Sequence, residues 1–213
     1  MKGISEYIIE KLKVNKDTNK LKYTYCPENK RQLQDLLHQL IRERGKDADL
    51  NDIDVSKIKE MNALFTNLQK DIENIDISKW NVSNCTNFEG TFYMCEKFDC
   101  DLSDWNISNA TNIGAMFYGC KKFKGIGIGK WNVENIEDAG ALFGECENFN
   151  ADLSRWDTSN MTNTFEMFKN CKKFTGEGLD KWTILCDADK MDRMFNGCDS
   201  LEKIPDWYAD IDD

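Results

Sequence analysis

The chain has 213 residues, with 38 Asp and Glu against 28 Lys and Arg for a net charge of −10, and nine Cys beside a single His. That length suffices for one sizeable core, and 40% hydrophobic residues against 31% charged belong to a globular rather than a disordered chain. No run approaches the roughly 18 apolar residues that cross a bilayer, and the acid excess argues against direct nucleic-acid binding, which draws on basic surface.

Three stretches are expected: residues 1–50 as an N-terminal segment with a capping helix, 51–207 as a repeat domain and 208–213 as an acidic tail. The start, Met1-Lys2-Gly3-Ile4-Ser5-Glu6-Tyr7, meets charged residues before any apolar signal segment. The expected location is therefore cytoplasmic, with the cell surface reached only if an upstream export signal has been removed. Residues 5–12 read as a short helix and residues 14–25 as a hairpin around Asn15-Lys16-Asp17-Thr18-Asn19. Between Pro27 and Gly45, Leu33, Leu36, Leu37, Leu40 and Ile41 fall on one side, and Gln32, Asp35, His38, Arg42, Glu43 and Arg44 on the other. That is an amphipathic helix suited to covering the raw end of a repeat stack. Residues 53–65 make a degenerate first repeat that lacks Trp and Cys.

Trp then falls at 80, 105, 131, 156, 182 and 207, and Phe at 65, 92, 117, 143, 168 and 195. Cys follows three residues after five of those Phe, at 95, 120, 146, 171 and 198, and a further apolar column runs through Phe98, Phe123, Phe149, Phe174 and Leu201. Four columns on one period identify a repeat architecture. Within a unit, Ala110, Ile113, Met116, Phe117 and Cys120 have helical spacing. Thr86, Thr111, Thr162 and Asp189 sit where an N-cap would, and Gly119 and Gly197 where the helix would close. Phe149-Asn150-Ala151-Asp152-Leu153 alternates as a short strand does. The expected fold class is an α/β repeat, a solenoid of about six coils of 25–27 residues, each a short strand, a loop and a short helix.

The unit Trp156-Asp157-Thr158-Ser159-Asn160-Met161-Thr162-Asn163, followed by Met167-Phe168, Cys171 and Phe174, resembles the BspA-like leucine-rich repeats. Trp80-Asn81-Val82-Ser83-Asn84 and Asp152-Leu153-Ser154 carry the same resemblance, which spans roughly residues 50 to 207. It implies a leucine-rich-repeat-like solenoid of the kind found on bacterial surface proteins involved in adhesion.

The remaining motifs read as structure. The five-Cys column is expected to pack in the core as small apolar side chains, because no C-x-x-C pair occurs and one His leaves zinc without its usual ligands. Gly125-Ile126-Gly127-Ile128-Gly129-Lys130-Trp131 lacks the spacing and the Ser or Thr of a phosphate loop. Its glycines, like those of Thr175-Gly176-Glu177-Gly178-Leu179, are expected to absorb an extra residue as a bulge. The sequons at Asn81, Asn84, Asn106, Asn109 and Asn160 arise from the repeat, and Asn84, Asn109, Asn135 and Asn160 are expected to form a ladder bonding loop backbone between coils. No catalytic set, cofactor or metal site is expected.

Binding is expected on the strand face. If Phe149 and Leu153 point inward, the outward positions are Asp99, Asp101, Lys124, Asn150, Asp152, Thr175, Glu177 and Glu202, an acidic-leaning stripe. The dipeptides after the Cys column, Glu96-Lys97, Lys121-Lys122, Glu147-Asn148, Lys172-Lys173 and Asp199-Ser200, form a second, charge-mixed edge. The expected function is a non-enzymatic protein–protein interaction module that binds through the strand face or the cap, to a partner with a basic surface or nucleic-acid channel. Direct nucleic-acid and membrane binding are not expected. The alternatives are an anti-CRISPR-like inhibitor of a nucleic-acid-handling enzyme, encoded by a phage or mobile element, and a bacterial surface adhesin.

Overall fold

The computed structural model describes residues 23–209; the expected helix over 5–12, residues 14–22 of the expected hairpin and the tail from 210 onward lie outside the described residues. The first helix forms where the sequence places it. Asn29 Oδ1 accepts the N–H of Gln32 at 3.0 Å, capping α1 (Lys30–Arg44), and Gly45 ends it with an N–H donated to the carbonyl of Ile41. Leu33, Leu36, Leu37, Leu40 and Ile41 are buried in the same core as the repeats. At the start of α1, the Lys30 ammonium donates to the carbonyl and Oδ1 of Asn62 in the first repeat, at 3.2 and 2.7 Å.

The α/β leucine-rich-repeat-like solenoid expected for residues 51–207 is not what the chain adopts. Among the described residues only α1 and a four-residue helix, α2 (Asp206–Ala209), are α-helical, and there is no strand. The repeat is carried instead by turns, three single-turn 3₁₀ segments and isolated parallel bridges, four of which run in series through Glu60, Asn87, Asn112, Asp138 and Asn163.

The segment with helical spacing shows why. Ile113, Ala115, Phe117 and Gly119 donate their N–H groups to the next unit, at Asp138, Gly140, Leu142 and Gly144, over 2.7–3.0 Å. Met116, Tyr118 and Cys120 donate three residues back, to Ile113, Ala115 and Phe117. An α-helix would bind every N–H four residues back and leave none for a neighbour. Ala115 and Gly119 are left-handed (φ 50° and 74°), as are Ala141 and Glu145, and Glu166 and Asn170 (φ 53–63°), which breaks the helix at every second turn. Each non-glycine residue held there costs about 1–2 kcal/mol, offset by the cross-unit bonds. The apolar side chains still fall at i, i+3 and i+4, because a chain of three-residue turns turns the same face inward.

The expected N-caps are corrected with the helix. Thr86, Thr111 and Thr162 donate their backbone N–H to the preceding unit, at Lys59, Thr86 and Glu137. The hydroxyls of Thr86 and Thr162 reach the same carbonyls at 3.4 and 3.2 Å. Asp189 lies inside the 3₁₀ turn Ala188–Lys190, and its side chain caps nothing there.

Inside the stack the columns meet as their spacing requires. Successive Phe rings from Phe65 to Phe195 stack with centroids 5.2–5.9 Å apart. Within a unit, Phe117 and Phe123 lie 4.1 Å apart, and Phe143 and Phe149 3.9 Å. The six Trp indoles each donate Nε1–H to a carbonyl one unit back, from Trp80 on Leu50 (3.0 Å) to Trp207 on Leu179 (2.7 Å). Only Trp fills this column while also donating in that direction, which is why the unit keeps it.

The two units with an extra residue take it up as 3₁₀ turns, Ile128–Lys130 and Leu179–Lys181, rather than as strand bulges. Left-handed glycines, Gly127 (φ 87°) and Gly178 (φ 89°), start them. A Cβ on Gly127 would stand 2.4 Å from the backbone nitrogen of Ser103. Gly127→Ala is expected to cost about 3 kcal/mol, from the left-handed backbone and the clash together. Gly90→Ala, also at positive φ (57°) but with its nearest neighbour, the Tyr93 Cβ, 3.7 Å from the new Cβ, is expected to cost about 1 kcal/mol. Urea midpoints of the two variants, at unchanged m-value, check the difference.

Candidate binding face

Asp99, Lys124, Asn150, Thr175 and Glu202 form one column of the expected face. The structure brings four of them together in pairs across unit boundaries. Asp99 accepts the backbone N–H of Lys124 at 3.0 Å and pairs with its ammonium. Asn150 Oδ1 accepts the N–H and hydroxyl of Thr175 at 3.1 and 3.0 Å. Glu202, exposed, ends the column without an ion pair among the described residues.

Asp101 and Asp152 instead turn back on their own units. Asp101 Oδ1 accepts the Ser103 N–H at 2.8 Å and hydroxyl at 2.5 Å, and Asp152 Oδ1 accepts the Ser154 N–H at 2.8 Å. These are Asx turns that set up the Trp-bearing turn. They hold both carboxyls below the usual range, Asp101 chiefly through the Ser103 hydroxyl and Asp152 chiefly through the Ser154 N–H. Glu177 is exposed, and its carbonyl receives the N–H of Leu153 at 3.1 Å. Between the turns lies a hollow of about 330 Å³, lined by Gly127, Gly129, Lys130, Asp152 and Arg155. With Lys124, Lys130 and Arg155 among the acids, the stripe is mixed in charge rather than acidic.

The second edge alternates in sign. Down the column Glu96, Lys121, Glu147, Lys172 and Asp199, Lys121 pairs with Glu96 at 2.9 Å and Lys172 with Glu147 at 3.1 Å. The Asn ladder is present: Asn84, Asn109, Asn135 and Asn160 each donate Nδ2–H to a carbonyl of the preceding unit at 2.7–2.8 Å.

Sequence reasoning missed two features. Asn87, Asn112, Asp138 and Asn163 each accept an N–H two residues ahead, at 2.9–3.2 Å, and their Asx character at one period was the available signal. Tyr93, 40% exposed, stacks on Tyr118 at 5.3 Å beside Met94, 38% exposed, giving an apolar spot on the turn side.

The column cysteines are free thiols, four of them buried in the core and Cys198 half-buried against it, and each also donates to a carbonyl. Cys120, Cys146, Cys171 and Cys198 reach the carbonyls of Phe92, Phe117, Phe143 and Phe168 at 2.9–3.1 Å. Burial pushes the Cys95 thiol up to about 12, and those of Cys85, Cys100 and Cys198 to about 11. Cys120, Cys146 and Cys171 are raised well above their ordinary value by the same burial. Thiols held this far from ionising make poor nucleophiles and poor metal ligands. Among the described residues, no group of three or more His, Cys, Asp or Glu is arranged to hold a metal ion, and no helix is long and apolar enough to cross a membrane.

A protein family described as "Mycoplasma protein of unknown function, DUF285" matches residues 34–126 and again residues 123–207. No curated protein and no solved structure matches the chain.

The raised thiols give a pH dependence. Between the ordinary value of 9.0 and about 12, the folded chain keeps thiol protons that the unfolded chain has lost, so stability is full below pH 9 and falls above it. Each such thiol contributes a slope of up to about 1.4 kcal/mol per pH unit. Cys146→Ala is expected to unfold more easily at pH 7 yet lose stability less steeply above pH 9, as read from urea melts over that range.

Proposed function

The chain belongs to this family of unknown function, and we propose that it is a non-enzymatic module that binds another protein through the exposed columns of its stacked turns. The BspA-like sequence motif is, on this reading, the signature that these repeats share. The observation that carries the proposal is a contrast between inward and outward columns. The inward ones stay nearly uniform, as in Phe92, Phe117, Phe143 and Phe168. The outward ones change from unit to unit, as in Asp99, Lys124, Asn150, Thr175 and Glu202. A stack of this kind presents a broad surface whose side chains vary without cost to the core, which suits recognition of an extended protein surface.

Two further features support it. The thiols are held protonated, and the one His, His38, stands on α1 beside Arg42 and Asp71, away from the column cysteines. The net charge of −10 favours a partner with basic surface by electrostatic steering. A nucleic-acid-handling enzyme is one partner of that kind, and binding it would make the chain an inhibitor.

The test is affinity capture with the wild type and with Glu177→Lys/Lys130→Glu, a variant that spares both Asx-turn acids. The expected result is one stoichiometric partner, held tenfold or more weakly by the variant at an unchanged melting temperature. A partner held equally well by both proteins would remove the face from the reading, and a small molecule turned over by the chain would end it.

A further inference from the structure

The stack is polar along its axis, and its last turn leaves that polarity unanswered. At every junction, one segment of each unit donates alternate N–H groups forward: Phe88, Gly90, Phe92 and Met94 to the second full unit, and so on to Thr164, Glu166, Phe168 and Asn170 on the last. The corresponding groups of the last unit are those of Met191, Arg193, Phe195 and Gly197. Met191 bonds back to Ala188, while the N–H groups of Arg193, Phe195 and Gly197 have no acceptor among the described residues. Gly197 is exposed where its counterpart Gly119 is buried, and Arg193 is exposed where Ala115, Ala141 and Glu166 are half-buried. The core at this end is closed, with Tyr208 set edge-on against Phe195 at 5.0 Å and Trp207 stacked on Trp182 at 6.4 Å. The backbone edge is not.

The same end leaves the side-chain columns at a defined phase. The acid–base column ends at Asp199, after Lys172 has paired with Glu147. In the other column Asp99 accepts from Lys124 and Asn150 from Thr175, so Glu202 occupies the next accepting position. Both carboxylates are exposed, and neither makes an ion pair among the described residues.

We propose that the edge formed by Arg193, Phe195 and Gly197 binds an extended, basic peptide segment of a partner protein as one further parallel rung. Its alternate carbonyls accept the three N–H groups, and its basic side chains meet Asp199 and Glu202. A second copy of this chain does not fit. Two such edges would oppose donor to donor, because the carbonyls of Met191, Arg193 and Phe195 are already bound within the last unit. On the acceptor side of the first unit, the Asn62 carbonyl already receives the Lys30 ammonium of α1. Edge addition of this type takes affinity from main-chain hydrogen bonds and specificity from alternate side chains. The inference rests on the reading of the chain as a protein-binding module and places recognition at the end of the stack as well as along its face.

The test uses the ¹⁵N-labelled full chain and a synthetic decapeptide, acetyl-Thr-Val-Thr-Val-Thr-Gly-Lys-Lys-Thr-Lys-amide, with a control in which Glu replaces each Lys. In the free chain, the amides of Arg193, Phe195 and Gly197 are expected to exchange at least tenfold faster than those of Glu166, Phe168 and Asn170. The basic peptide is expected to slow them at least tenfold, the acidic one to leave them unchanged, and Asp199→Lys/Glu202→Lys to weaken binding at least tenfold without a change in melting temperature. Slow exchange of all three amides in the free chain would overturn the proposal, as would equal binding of both peptides or no binding at millimolar peptide. Peptide shifts confined to the Glu177 side would also overturn it while leaving the module reading intact. Failure of the module reading would show separately, as a chain that captures no protein in the face experiment.

Discussion

Every second backbone N–H in the turn segment of a unit points forward to the next unit, and the rest of the structure follows from that commitment. An isolated unit would expose those donors to water and bury little, so it has no reason to hold its left-handed residues. Once a neighbour supplies carbonyls, three or four forward bonds per junction form, and the Phe, Trp and Cys columns fall into register because the chain period fixes their spacing. The Trp indoles and Cys thiols then donate backward, to carbonyls of the preceding unit. Bonds running both ways lock each unit against translation along the ladder. A slip of one residue would break the forward bonds, the indole bonds and the Phe stacking together.

The exposed pairs act on a smaller scale. Ion pairs such as Lys121 with Glu96, half-exposed on both sides, are worth about 0–1 kcal/mol each. They do not hold the stack together. Their effect is on register and solubility, since opposite signs at one period penalise a unit that stacks out of phase. This is also why the expected binding face is only partly free. Asp99 and Lys124, and Asn150 and Thr175, are engaged with each other, and Asp101 and Asp152 with their own serines, whereas Glu177 and Glu202 remain open to a partner.

Much of this was legible in the sequence, and what was not has one cause. Period, core columns, α1 with its five buried leucine and isoleucine residues, the buried thiols and the Asn ladder all follow from side-chain identity at fixed spacing. The local backbone does not. Ala110, Ile113, Met116, Phe117 and Cys120 have the same i, i+3, i+4 pattern whether the chain is an α-helix or a series of three-residue turns. The distinction rests on left-handed φ at Ala115 and at Gly119, and only the second is a glycine. Elsewhere that column is Met94, Glu145, Asn170 and Gly197, and only the Asn and the Gly are residue types that favour such a φ. The N-cap reading of Thr86 and Thr111 failed with the helix, because a donor that reaches across a junction and a cap that reaches along the chain use the same residue type.

Directionality then separates the two ends of the molecule. An open row of strand-like backbone groups is a hazard in any repeat chain, since it invites addition of like chains without limit. Here a forward donor row needs an acceptor row, and in the first unit the Asn62 carbonyl, one acceptor of that row, already receives the Lys30 ammonium of α1. The helix thus takes one of the acceptors that an identical chain would need, and the opposite edge is not complementary to itself. An edge that cannot pair with its own kind can stay uncovered at little risk. That leaves its three N–H groups available to a chain of different sequence, which a cap at that end would have excluded.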